Sequence, residues 1–129
     1  MTEDRWDRLV TGISGDDIEM MVKACEQLYK ESEASDVPRL LELLKHENFV
    51  VREAAAWPLV SLGGAKVLPE LFIALQRGYN EGLDNDGFQT ALIELVEQDR
   101  DESREKLSEL KNSSERAFRE YADWLLEFC

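Results

Sequence analysis

Apolar residues recur at intervals of three and four positions along almost the whole chain, which is the spacing of one helix face. The strict alternation of a half-buried strand is absent outside the short run Phe49-Val50-Val51. Turn signals such as Gly63-Gly64 and Asn112-Ser113 divide this pattern into segments. We therefore predict an all-α chain of eight helices in four pairs. The second helix shows the spacing most clearly, with Ile18, Met21, Val22, Cys25, Leu28 and Tyr29.

Acidic residues and prolines mark where several of these helices should begin. We expect acidic N-caps at the second, third and sixth helices, namely Asp16 or Asp17, Asp36, and Asp86. Gln89 follows Asp86 by three residues, which is the capping-box pattern, and a loop is expected before it over residues 78–85. Pro38 and Pro69 should each lie in the first turn of a helix.

The two prolines also begin a repeat, because Pro38 recurs as Pro69 and each is followed by a leucine-rich helix. The stretch between them resembles the HEAT repeat family. The resemblance rests on Pro38-Arg39-Leu40-Leu41-Glu42-Leu43-Leu44 in the first helix, and on Val51-Arg52-Glu53-Ala54-Ala55-Ala56, Leu59 and Leu62-Gly63 in the second. Weaker copies extend it to repeats at about 3–33, 36–64, 65–98 and 99–128. Pro58 departs from the family pattern, and it should kink its helix and free the carbonyl of Ala54.

The length of 129 residues predicts a single domain over residues 1–129. The resemblance implies that this domain is folded as a short right-handed α-solenoid of about four HEAT-like helical hairpins. In such folds the helix pairs stack and share one elongated core. The alternative all-α fold is a closed helical bundle, which needs no periodicity of about thirty residues. The predicted core contains Leu41, Leu44, Ala55, Leu59, Leu62, Leu71 and Leu75.

Charge restricts the partners of the chain. Asp and Glu number 28 against 15 Lys and Arg, so the formal net charge is −13. This balance argues against DNA, RNA and anionic membranes, all of which need a basic patch. It favours a basic protein partner, or it reflects only a well-solvated surface. No signal peptide or membrane span is seen, and Cys25 and Cys129 are expected to be free thiols, so we predict a cytoplasmic protein.

Catalytic and metal-binding motifs are not found in the sequence. The single histidine, His46, lies in a predicted turn, where capping the loop is its expected role. The segment Asp84-Asn85-Asp86-Gly87 suggests calcium, but aligning Gly87 with the sixth position of an EF-hand loop leaves the first and last ligand positions without acids. We therefore predict no enzyme activity, no cofactor and no metal site.

In HEAT-like solenoids, partners usually bind the concave face formed by the second helices. Aligning the second helices places Trp57 and Trp124 at equivalent positions, with Glu94 between them. Each tryptophan either folds back onto the core or forms a binding hot spot. On the second interpretation the partner-binding residues are Glu53, Trp57, Tyr79, Asp84, Asp86, Glu94, Glu97, Glu120, Asp123 and Trp124. Among these, the loop from Tyr79 to Asp86 would reach over one edge of the site.

Two functional classes follow. The first is a small acidic inhibitor or immunity protein, monomeric when free, that neutralises a basic, toxin-like protein. The second is a general HEAT-repeat scaffold, such as an adaptor or a lyase-type chaperone subunit. A HEAT-like DNA glycosylase is excluded because its concave face must be basic.

Overall fold

The computed structural model describes all 129 residues and is all-helical, as predicted, with eight α-helices and no β-strand. Short 3-10 helices, Ala34–Asp36 and Gly64–Val67, precede the third and fifth α-helices. None of the helices combines the length and the apolar character that crossing a membrane requires. The α-helices are α1 (Glu3–Ile13), α2 (Ile18–Glu31), α3 (Val37–Leu43), α4 (Phe49–Leu62), α5 (Leu68–Asn80), α6 (Asp86–Gln98), α7 (Arg100–Leu110) and α8 (Arg116–Leu126).

The contacts divide the chain into two compact units, unit 1 (Met1–Leu62) and unit 2 (Gly63–Cys129). In unit 1, α1 packs on α2, α3 packs on α4, and α4 also contacts α1 and α2. In unit 2, α7 packs on α8, and α6 contacts α5, α7 and α8. The division falls close to the predicted boundary between the second and third repeats. The single domain and the stacking of four hairpins stay predictions.

Helix α4 is apolar on nearly every face, and a helix of this kind is stable only when its neighbours cover it. Pro58 lies inside α4, yet the helix runs unbroken from Phe49 to Leu62. Proline has no N–H, so the carbonyl of Ala54 receives no helical hydrogen bond from position 58.

The predicted core is correct at five of its seven positions. Leu44, Ala55, Leu59, Leu71 and Leu75 are buried. Leu41 and Leu62 are only half-buried, so these two predictions are wrong. The inward face of α3 is formed by Leu40, Leu43 and Leu44, and Leu41 lies beside that face. Leu62 is the last residue of α4, where the helix ends before Gly63.

Asp36 does not cap α3 as predicted. Its side chain, only 1% exposed, turns back to accept the Glu33 N–H at 2.8 Å and also accepts the guanidinium of Arg39. Arg39 in turn lies over the Trp6 ring, 4.5 Å from its centroid, and donates to the carbonyl of Met1 at 3.0 Å. Burial opposes ionisation of Asp36, but these hydrogen bonds outweigh burial and lower the pKa of the carboxyl below its ordinary value.

Arginine side chains close the turns of two hairpins in the same way. Arg52 donates from Nη1 to the carbonyls of His46 and Glu47, at 2.9 and 3.0 Å. Arg119 makes the matching pair of bonds, to the carbonyls six and five residues before it, at 2.8 and 3.2 Å. His46 accepts the backbone N–H of Asn48 at Nδ1, at 3.0 Å, so its predicted role in capping the turn is confirmed.

The other predicted helix starts have mixed outcomes. The N-cap at Asp17 is confirmed, because its carboxylate accepts the Met20 N–H at 3.2 Å. The prolines at 38 and 69 lie in the first turns of α3 and α5, as predicted. The capping box at Asp86 and Gln89 is wrong: Asp86 is itself the first residue of α6, and Gln89 donates to the hydroxyl of Tyr79.

The loop expected over residues 78–85 is shorter than predicted, because α5 continues to Asn80. Gly78 lies buried inside α5 and allows close packing against Asn85. A Cβ added at Gly78 would come within 2.1 Å of the Asn85 Oδ1, so any larger residue there requires the buried Asn85 side chain to move. A packed glycine in a helix gives the same sequence signal as a glycine in a loop.

Candidate functional site

The apolar series of α2 divides between two faces of the helix. Leu28 is fully buried, whereas Ile18, Val22 and Tyr29 are 72%, 52% and 49% exposed. With Cys25, these three exposed residues occupy positions i, i+4, i+7 and i+11, which lie along one side of a helix over about three turns. We call this surface, formed by Ile18, Val22, Cys25 and Tyr29, the apolar stripe.

A groove runs between the C-terminal part of the apolar stripe and α4. Its volume is about 310 Å³, and it is lined by Cys25, Glu26, Tyr29, Ala54 and Trp57. We call it the α2–α4 groove. The residues from α4 are three positions apart and therefore lie on one side of that helix. The small side chain of Ala54 leaves the space that the indole of Trp57 borders.

Trp57 was interpreted from the sequence either as a core residue or as an exposed hot spot, and in the structure it is intermediate. Its side chain is half-buried, neither enclosed in the core of unit 1 nor fully in water. One part of the indole is therefore supported by packing, while another part borders an open groove. A partly supported aromatic ring is typical of an anchor residue, because little side-chain entropy is lost when a partner covers it.

The charged groups at the α2–α4 groove are acidic. Glu26 lines the groove, Glu53 acts on the thiol of Cys25, and no lysine or arginine lines it. Burial, with a smaller contribution from Glu53, raises the pKa of the Cys25 thiol above its ordinary value. Cys25 therefore stays protonated at neutral pH and behaves as a small apolar side chain rather than as a nucleophile.

Eight of the ten predicted site residues belong to unit 2, and Tyr79 is the first of them. Tyr79 lies on α5 and not on a loop, so its predicted place is wrong. Its ring centroid is 6.1 Å from that of Tyr121. Burial, aided by Tyr79 and Glu120, raises the pKa of Tyr121 to about 12. This pair is part of an aromatic cluster that continues to Phe72, 5.4 Å from Tyr121.

The predicted acidic residues of unit 2 are exposed, and several already have partners. Asp84 accepts the backbone N–H of Asp86 at 2.9 Å, an ordinary turn interaction. Glu94 and Glu97 project from α6 into solvent. In α8, two carboxylates form ion pairs, Glu120 with Arg116 at 3.0 Å and Asp123 with Lys111 at 3.1 Å.

Trp124 is half-buried like Trp57, but its surroundings differ. Its ring meets that of Phe128 edge to face, with the centroids 6.1 Å apart. The aligned tryptophans therefore have different neighbours: Trp124 of α8 has Phe128, which follows the end of that helix, and Trp57 of α4 has an open groove.

Of the predicted residues, Glu53 and Trp57 of unit 1 lie near side chains that the sequence did not identify as part of the site. These are Cys25 and Tyr29 of α2. Their spacing is visible in the sequence, where the apolar series of α2 is wider than one buried face requires. The sequence does not show which part of that series meets α4 and which part meets water.

A second apolar groove lies in unit 2, and the sequence did not predict it. Ile73 of α5 is 59% exposed beside Phe118 of α8. The groove between them has a volume of about 520 Å³. Its polar lining comes from Gln76, Arg77, Asn80 and Glu115.

A further cavity lies at the α1–α2 turn, has a volume of about 590 Å³, and does not contain a predicted site residue. Its ionisable side chains are Asp7, Arg8, Asp16 and Asp17. No three His, Cys, Asp or Glu side chains of the chain are grouped to hold a metal ion. Compared with protein-family models, with curated proteins and with solved structures, the chain has no match.

Proposed function

We propose that this chain is a non-catalytic protein-binding module that inhibits a basic protein partner, as an immunity protein neutralises a toxin. The observation that carries the proposal is the half-buried Trp57 in the α2–α4 groove, beside the exposed apolar stripe. Exposed apolar surface that continues into a groove is typical of an interaction site. The partner would bury the stripe and place a cationic side chain near the indole.

The chemistry of the groove favours lysine or arginine in that place. Glu26 is exposed and lines the same groove as Trp57, so a cationic side chain placed there could contact its carboxylate and the indole together. The face of Trp57 can itself attract a cation. Tyrosine and tryptophan also dominate the energetics of protein interfaces, and the groove has one of each.

Net charge supports the same choice of partner over longer distances. Unit 1 has 13 acidic and 7 basic residues, a net of −6, and unit 2 has 15 and 8, a net of −7; together they give the −13 of the chain. Both units are therefore acidic, and a basic partner would be attracted by the whole molecule. Such attraction chiefly raises the association rate.

For the architecture, we retain the right-handed α-solenoid of about four HEAT-like hairpins as part of the proposal. The shared turn closure by Arg52 and Arg119 supports a repeated hairpin, since two independent helix pairs would have no reason to use the same bonds. A solenoid would present the second helices on one face, where Trp57 would be available to a partner.

A scaffold or adaptor is the second candidate, and the groove of unit 2 favours it. A protein with one apolar groove on each unit could hold two partners at once, whereas an inhibitor needs only one binding surface. A lyase-type chaperone subunit belongs to this second class. The cytoplasm remains our proposed location for either function.

The test compares the aligned tryptophans. A partner is first captured with the tagged protein, and its affinity is then measured by calorimetry for Trp57→Ala and Trp124→Ala. We expect Trp57→Ala to raise Kd at least about 30-fold, equal to about 2 kcal/mol, and Trp124→Ala to change it less than about threefold. Capture of one small basic protein supports inhibition, and capture of a large complex supports scaffolding.

Stability is the control for this comparison. Both tryptophans are half-buried, so both variants should lose a similar, small part of the melting temperature. If Trp57→Ala unfolds, Trp57→Phe takes its place, since it keeps an aromatic ring in the groove wall but removes the indole. An affinity that falls with Trp124→Ala but not with either Trp57 variant contradicts the proposed site.

A further inference from the structure

We infer that the element recognised by the α2–α4 groove and the apolar stripe is an amphipathic α-helix with lysine or arginine along the edges of its apolar face. This inference rests on the proposed function, protein binding, and specifies the partner's chemistry. It follows from the backbone of the chain, the length of the apolar stripe and the charge around it.

The backbone of this chain leaves recognition to side chains. Without a β-strand, the chain has no sheet edge whose free N–H and C=O groups could bind an extended peptide. Within helices, nearly all backbone groups are already bonded along the helix. A partner is therefore held by the side chains between α2 and α4, and a helix laid into the groove between two helices is the common solution.

The length of the apolar stripe also fits a helix. From Ile18 to Tyr29 it spans 11 helical steps, about 16 Å. A second helix lying along it would cover it with residues at positions i, i+4, i+7 and i+11. A short proline-rich segment could stack between Tyr29 and Trp57, but it would leave Val22 and Ile18 uncovered, because Val22 lies about 10 Å along α2 from Tyr29.

The acidic residues beside the apolar stripe favour basic residues along the edges of the partner helix. The negative charge of unit 1 argues against a second copy of this chain as the occupant. Glu19 and Glu26 border the apolar stripe on α2, and Glu53 of α4 is near enough to Cys25 to act on its thiol. A helix with lysine or arginine at these edges forms charge-assisted contacts. Two copies would instead bring two acidic units together, each with a net charge of −6.

The experiment uses the chain's own cysteines as reporters. Cys25 lies in the groove and Cys129 belongs to unit 2, and both are free thiols. The probe is a synthetic 18-residue helical peptide with a leucine stripe and lysine elsewhere. Iodoacetamide alkylation of both thiols, run at about pH 9 so that part of each thiol is present as thiolate, is followed by mass spectrometry. We expect the peptide to slow alkylation of Cys25 at least about fivefold and that of Cys129 less than about twofold.

Three further peptides test what the groove recognises. A scrambled peptide of the same composition and a peptide with glutamate in place of lysine should leave Cys25 unprotected. A proline-lysine peptide should protect Cys25 less than the helical peptide does. Equal protection by the scrambled peptide would mean unspecific attraction, and stronger protection by the proline-lysine peptide would mean an extended ligand. Either result overturns the inference.

A matched pair of variants on α2 places the contact. Val22 belongs to the apolar stripe, whereas Met20 is 59% exposed on the opposite side of the helix. Val22→Glu should abolish the protection of Cys25, and Met20→Glu should keep it. Because both side chains are exposed, neither substitution should prevent folding.

The failure of this inference can be distinguished from the failure of the proposed function by repeating the alkylation with the captured partner. If that partner protects Cys25 but the helical peptide does not, the helical ligand is wrong and the proposed function stands. If the partner binds without protecting Cys25, both the site and this inference are wrong.

Discussion

The α3–α4 hairpin of unit 1 and the α7–α8 hairpin of unit 2 share a sequence pattern, but their aligned residues differ in how deeply they are buried. Residues 36–62 align with 103–129 at a constant offset of 67, without insertion. Eight positions are identical: Leu40/Leu107, Glu42/Glu109, Leu43/Leu110, Arg52/Arg119, Glu53/Glu120, Ala55/Ala122, Trp57/Trp124 and Leu59/Leu126. The shared residues include the arginine that closes the turn in both hairpins.

The difference lies in the surroundings of these residues. Arg52 is fully buried and Arg119 exposed, and Leu59 is fully buried where Leu126 is half-buried. Helix α4 has two charged residues among 14, whereas α8 has four among 11. The same residue pattern therefore occurs both in a largely buried hairpin and in a partly exposed one. A few charged substitutions around it, such as Asp123 where α4 has an alanine, leave much of α8 in water.

The largest expected effect in this comparison concerns the turn arginines. Arg52→Ala should lower the free energy of unfolding by about 3–5 kcal/mol, because it leaves two turn carbonyls without their donor in a buried site. Arg119→Ala should cost less than about 1 kcal/mol, because water can replace an exposed guanidinium. Urea denaturation measures both. Equal losses would mean that burial is not what separates the hairpins.

Next come the aligned leucines. Leu59→Ala should cost about 2–5 kcal/mol, the usual range for a buried leucine that leaves a cavity. Leu126→Ala should cost less than half of that, because its side chain is only half-buried and the site can relax. Thermal and urea unfolding of the two variants should rank them in this order. The reverse order would contradict the burial contrast between α4 and α8.

The smallest expected effect is a pH dependence of the unfolding free energy, which we expect at Asp36 of the α3–α4 hairpin and not at Ser103 of the α7–α8 hairpin. At the aligned positions, Asp36 is buried with partners, whereas the buried hydroxyl of Ser103 has no hydrogen bond. The pKa of Asp36 is lower in the folded chain than its ordinary value of 3.8, so the unfolded chain takes up the proton first. The stabilisation is therefore present above that value and is lost as the pH falls through the folded pKa.

This pH dependence is measured as the difference in unfolding free energy between the natural chain and Asp36→Asn. We expect that difference to be largest near pH 7 and to shrink below about pH 4. Ser103→Ala is the matched control. It should cost nothing at any pH, because the hydroxyl it removes is buried without a partner. A difference for Asp36→Asn that grows on acidification would contradict the assignment.

Much of the fold could be predicted from the sequence, because helix period and turn residues are local signals. Helix α4 ends at Leu62, directly before the predicted turn at Gly63-Gly64, and the N-cap of Asp17 is present. The predictions were wrong where the same local sequence signal is compatible with two different local structures. Gly78 marked a loop but is packed inside α5, and Asp36 had the position of an N-cap but bonds backwards to Glu33.

The candidate site was predictable only in part, since it depends on which helix face meets which neighbour. The aligned position of Trp57 could be read from the sequence, and the residue borders a groove. Its neighbours Cys25 and Tyr29 come from a helix about thirty residues earlier, and only packing shows that they flank it. The acidic residues Glu120 and Asp123 were predicted to bind a partner, but in the structure they form ion pairs within the chain.

The apolar stripe also has a consequence for how concentrated solutions of the chain should behave. Between molecules, contact of two stripes is attractive at short range, and like charge opposes it at longer range. Both the solution pH and the salt concentration set this balance, since the charge vanishes near the isoelectric point of about 4.4 and is screened at high ionic strength. The acidic surface thus opposes self-association of the chain through its apolar stripe. The same charge does not oppose the approach of a basic partner.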